Sequence, residues 1–117
     1  MSQHKLKVHL GEGFDAFAGR VTDAWHRAER GEAVQEDHVT FASWDVFARV
    51  MTGKRIELLR HLHHHDVVSV AALARELKRD YKRVHEDIEI LATAGLVRRD
   101  GAGLHTDYDI IESRIAL

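Results

Sequence analysis

The spacing of apolar residues changes period several times along this chain, and each change predicts an element. At 4–10, Leu6, Val8 and Leu10 alternate with Lys5, Lys7 and His9, the two-residue period of a half-buried strand. Gly11-Glu12-Gly13 ends it, and Phe14, Phe17, Ala18, Val21, Ala24, Trp25 and Ala28 then recur on one helical face. A polar, acidic connection at 32–38 leads to a short extended piece at 39–41. Ser43 and Thr52 are placed to cap two successive helices, the first with Trp44, Phe47, Val50 and Met51 inward, the second with Ile56, Leu59 and Leu62.

The densest pattern lies at 67–103. Ser69 caps a helix whose face is Val70, Leu73, Ala74 and Leu77, and Lys78-Arg79-Asp80 interrupts it. Asp80 caps a second helix at 81–94, with Val84, Ile88 and Leu91 inward and Gly95 as its left-handed stop. Then 96–99, Asp100-Gly101 and the residues from Leu104 onward read as a hairpin, because Asp-Gly favours a positive-φ turn. A last strand is expected at 108–117, paired with the first strand within one chain or across a dimer. The predicted fold is mainly α with a small β component (α+β). It consists of a winged helix-turn-helix at 43–117 behind a strand–helix extension at 1–42.

Charge sharpens this picture. The net charge is −2, but residues 54–99 carry ten basic side chains against seven acidic, while 1–43 and 100–117 are net acidic. The positive excess therefore falls on the proposed reader, as attraction to phosphate requires. With Val84, Ile88 and Leu91 inward, Lys82, Arg83, His85 and Glu86 are the expected base-edge contacts, with Tyr81 beside them. Ser69, Arg75, Lys78, Arg79, Arg98 and Arg99 are the expected phosphate contacts. Lys54 and Arg55 join that set, since cations in a helix's first turn oppose its dipole and call for an anionic neighbour. One reader spans only a few base pairs, so a two-fold dimer is expected, with the face of Phe14, Phe17, Val21 and Trp25 available to a second copy or a partner.

Other chemistries find less support. Ten histidines include His61 and His65 at i, i+4, a spacing that can chelate a divalent ion. No cysteine or separate carboxylate cluster fills the coordination sphere, so no metal or other cofactor is expected. No nucleophile elbow, phosphate-binding glycine loop or acid/base pair points to an enzyme. The absence of cysteine fits a reducing cytoplasm, and no apolar run is long enough for a membrane helix.

Three segments, FASWDVFARVMTGKRIELLRHL, SVAALARELKRDYKRVHEDIEILATAGLV and YDIIESRIAL, resemble the MarR-like winged-helix predicted transcriptional regulators, many of them antitoxins of toxin–antitoxin operons. The resemblance covers most of 41–117 and implies a dimeric binder of operator DNA that represses its own operon, with a cognate toxin as a partner. Gly53 stands where that family commonly has proline, which loosens this helix start. The alternatives are a stand-alone ligand- or metal-responsive repressor and a winged helix used as a protein-interaction adaptor.

Overall fold

The computed structural model describes residues 4–10, 36–115 and 117. Among them are five strands and four helices: β1 (Lys5–Leu10), β2 (Glu36–Phe41), α1 (Trp44–Val50), α2 (Gly53–His64), α3 (Val70–Leu77), α4 (Tyr81–Thr93), β3 (Arg98–Asp100), β4 (Gly103–His105) and β5 (Ile110–Ile115). The chain is a mixed α+β protein. The expected helix at 14–28, with Phe14, Phe17, Val21 and Trp25, lies outside the described residues. No helix among the described residues is long and apolar enough to cross a membrane.

The chain divides into two compact units, one of Met1–Phe47 with Asp109–Leu117, the other of Ala48–Tyr108. In the first, β1 is the middle strand of a parallel sheet ordered β2-β1-β5. Parallel neighbours need a crossover of a dozen residues or more, and both connections from β1 exceed that length. Leu6, Val8 and Leu10 are buried as their alternation predicts, but so is His9 on the opposite face, where its Nε2 lies 2.8 Å from His38 Nδ1. One of these two nitrogens carries the hydrogen and the other accepts it. Phe41 and Phe47 meet edge to face. Trp44, expected in the core, is half exposed: it leans on the Phe47 ring, so only one side is covered.

The second unit is built on capped helices. Thr52 Oγ1 accepts from Arg55 N–H, Ser69 Oγ from Ala72 N–H and Asp80 Oδ2 from Arg83 N–H, so each helix of this unit begins where its capping residue predicts. Both α3 and α4 end in the same paired bond pattern. Arg79 N–H donates to Ala74 O and Lys78 N–H to Arg75 O; Leu96 N–H donates to Leu91 O and Gly95 N–H to Ala92 O. The left-handed residue of this motif is Gly95 after α4, as expected, but Lys78 after α3, at φ 55°. Val84, Ile88 and Leu91 are fully buried, with Leu58, Leu59, Leu62, Leu73, Leu96 and Leu104 completing the core. Leu58 takes the inward place expected of Ile56, since it stands one turn from Leu62 on the same face.

The hairpin departs from expectation in its turn. Gly101 and Ala102 form the two-residue connection, and neither has positive φ; the left-handed glycine is Gly103, at φ 127°. Asp100 Oδ1 accepts from Ala102 N–H at 2.8 Å, and this local bond holds the turn. A side chain at Gly103 would strike the Val67 carbonyl, whose oxygen accepts from Leu104 N–H at 2.9 Å and bridges the hairpin to the segment before α3.

Candidate nucleic-acid interface

The leading turn of α4 carries two adjacent cations, Lys82 and Arg83. Asp80 fixes the helix start, and burial of Val84, Ile88 and Leu91 orients the rest of the cylinder. Tyr81, Lys82, Arg83 and Glu86 are therefore exposed, and His85 is half-buried. Neither Lys82 nor Arg83 has an ion-pair partner among the described residues. The Tyr81 ring lies 5.9 Å from His85, whose Nε2 is 3.7 Å from Glu89 Oε1. A surface cavity of about 570 Å3 opens beside this turn, lined by Lys54, Arg79, Asp80 and Arg83. Lys54 is brought there from α2 although it is 29 residues from Arg83 in the chain.

The other expected phosphate contacts fall into two groups. Lys78, in the turn between α3 and α4, and Arg75, in the last turn of α3, are exposed and without ion-pair partners among the described residues. Ser69 is engaged as a cap. Arg55 and Arg79 are drawn inward, with Arg55 Nε 3.0 Å from one oxygen of Asp87 and Arg79 Nη2 2.7 Å from the other. Arg55 Nη1 also donates to the Arg49 and Val50 carbonyls. These guanidinium groups hold α2, the α3–α4 turn and α4 together, which leaves them less able to approach a ligand.

Asp87 is the residue that pattern reading overlooked. It is only 8% exposed, on the same side of α4 as Val84 and Ile88. A buried carboxylate is tolerated when it is paired and hydrogen-bonded, and two arginines do this here. The signal was present in the sequence, as a carboxylate next to Ile88 on the inward stripe.

The hairpin arginines are likewise occupied. Arg98 pairs with Asp107 through both Nε and Nη2 and also contacts Asp100, and Arg99 Nη2 reaches Glu89 Oε1 at 2.5 Å. The hydrogen bond from Arg99 lowers the Glu89 pKa below the usual glutamate value, with smaller help from the nearby charges of Arg99 and His85. Asp100 is also lowered, first by the Ala102 N–H, then by His105 and Arg98. Hydrogen bonding to Asp107 raises Arg98.

His61 and His65 stack at 4.2 Å, but each ring is engaged elsewhere, His61 Nε2 with Glu76 Oε1 at 2.9 Å and His65 Nδ1 with the His61 carbonyl at 3.0 Å. Among the described residues no group of three or more His, Cys, Asp or Glu side chains is arranged to hold a metal ion.

A family model described as HVO_A0114 matches residues 50–113, more than half of the chain, and the chain belongs to that family. No curated protein and no solved structure matches it.

Proposed function

We propose that this member of the HVO_A0114 family is a sequence-specific DNA-binding transcriptional regulator. In this reading α3 and α4 form the helix-turn-helix, β3 and β4 form the wing, and two copies act as a homodimer. The observation that carries it is the pair of cations, Lys82 and Arg83, that have no ion-pair partner among the described residues and stand in the exposed leading turn of a well-capped helix. In helix-turn-helix proteins this part of the second helix meets base edges. Lys or Arg can bond guanine O6 and N7, and Glu86 can accept from a cytosine amino group. The cavity lined by Lys54 and Arg83 supplies a place for a backbone phosphate beside them.

The resemblance to MarR-like regulators adds the role of repressing its own operon, as an antitoxin with a toxin as its second partner. A small toxin-like reading frame adjoining this one is the expected genomic companion.

The test is a mobility-shift titration on promoter duplex over a range of salt concentrations. The wild-type chain should bind, with affinity falling steeply as salt rises because counterions are released from neutralised phosphates. Lys82→Ala with Arg83→Ala should abolish the shift while leaving the helical circular dichroism unchanged. Binding that survives both substitutions overturns the assigned surface. A second reading, a protein-interaction adaptor, is favoured by the internal pairing of Arg55, Arg79, Arg98 and Arg99. It predicts no affinity for any duplex even in dilute buffer.

A further inference from the structure

β5 is an edge strand among the described residues, with β1 as its one neighbour in the sheet. Glu112, Ser113, Arg114 and Ile115 are all exposed, Ile115 by 54%. Exposed strand edges template pairing with another chain unless they are blunted, and the two charges of this strand, Glu112 and Arg114, deter a neighbour only where like charges fall opposite them.

The order of residues in this edge is self-complementary. Read outward from Ser113, each direction meets a charged residue and then an isoleucine, but the charges are opposite: Glu112 on one side, Arg114 on the other. Two copies laid antiparallel about Ser113 therefore place Glu112 against Arg114 twice and Ile111 against Ile115 twice. The backbone agrees with this register. Ile110 N–H faces β1, donating to the His4 carbonyl, so residues 110, 112 and 114 bond inward and 111, 113 and 115 direct their N–H and C=O groups outward. Ser113 then meets its own copy as a hydrogen-bonded pair, and about six backbone bonds form along 111–115. Glu112 and Arg114 fall at non-hydrogen-bonded positions, where opposing side chains come closest. Arg114 has no ion-pair partner among the described residues, whereas Glu112 is 3.5 Å from Lys5 Nζ, which leaves it flanked by cations on both sides in the pair. β2, at the other edge, carries no lysine or arginine and offers no such match.

We infer that β5 is the homodimer interface, pairing antiparallel with β5 of a second copy about Ser113 to make one continuous six-stranded sheet. This deepens the dimeric part of the reading above. Because it is measured without DNA, its failure is distinct from a failure of duplex binding.

The test is sedimentation velocity of the full chain over a wide dilution series. The wild type should dimerise. Arg114→Glu and Glu112→Arg, each setting like charges opposite one another twice, should each weaken the dimer by about tenfold or more, and the two together should restore it. A wild type that stays monomeric, a dimer indifferent to both single changes, or a double variant that fails to recover would each overturn the inference. The register has its own check, since the chain has no cysteine. The Cα atoms of a hydrogen-bonded antiparallel pair are about 5.5 Å apart, within disulfide reach. Ser113→Cys should therefore oxidise to a covalent dimer and Glu112→Cys should not; the reverse result excludes pairing about Ser113.

Discussion

The leading turn of α4 and the β3–β4 hairpin look alike in sequence, each with two adjacent cations, Lys82-Arg83 and Arg98-Arg99. They differ in their surroundings. Asp80, next to the α4 pair, uses a carboxylate oxygen to cap the helix, and the two cations have no ion-pair partner among the described residues. In the hairpin, Asp100, Asp107 and Glu89 lie within reach, and both guanidinium groups are engaged. Counting basic residues thus overstates the charge available to a phosphate. What matters is which cations the fold has already paired.

The largest expected effect comes from undoing the pairing beneath the leading turn of α4. Asp87→Ala leaves Arg55 and Arg79 facing each other without their carboxylate, and breaking such a buried network costs about 3 kcal/mol. Thermal unfolding should register the loss. Duplex affinity should fall even though two cations are released, which separates positioning from charge.

Next is a side-by-side substitution. Lys82→Ala with Arg83→Ala should cost at least about 1–3 kcal/mol in duplex binding, whereas Arg98→Ala with Arg99→Ala should change affinity by less than about threefold because those charges are already partnered. Equal losses would erase the distinction. Lys78→Gly offers a smaller effect with opposite signs in two assays. Relief of the left-handed backbone should raise stability by up to about 1 kcal/mol, while loss of an unpaired cation should lower the steepness of the salt dependence.

The smallest effect is in pH. Glu89 and Asp100 have pKa values below their ordinary range in the fold. The stability they contribute is thus fully present above the carboxylate values of the unfolded chain and is lost as pH falls through the lower, folded values. Protection of the β3 and β4 amides against hydrogen exchange, taken relative to the intrinsic rate at each pH, should fall in that acid window and stay level between neutral pH and its upper edge. Both groups are exposed, so the change should be slight.

Most helix starts and stops were legible because each depends on a local rule: Thr52, Ser69 and Asp80 as caps, Gly95 as a left-handed stop. The inward stripe of α4 was legible from period alone. Three features were not. Lys78 fills a place where glycine is the usual residue, so no composition signal marked it. The placement of the hairpin glycine depends on the close approach of the Val67 carbonyl, 36 residues earlier, which leaves no room for a side chain at Gly103. The parallel direction of β5 against β1 is set by chain path, which hydrophobic alternation does not encode. In the candidate site, the exposed residues of α4 followed from its buried face. The capture of Arg55 and Arg79 did not, because it required knowing that Asp87 stands between them.

The central place of β1 has a consequence for how the molecule folds. Its second flank is occupied by residues that follow it by about a hundred positions, a separation that slows closure and delays the reward for it. During folding the helical unit at Ala48–Tyr108 can therefore be complete while Leu6, Val8 and Leu10 still wait for β5 to pair with their strand.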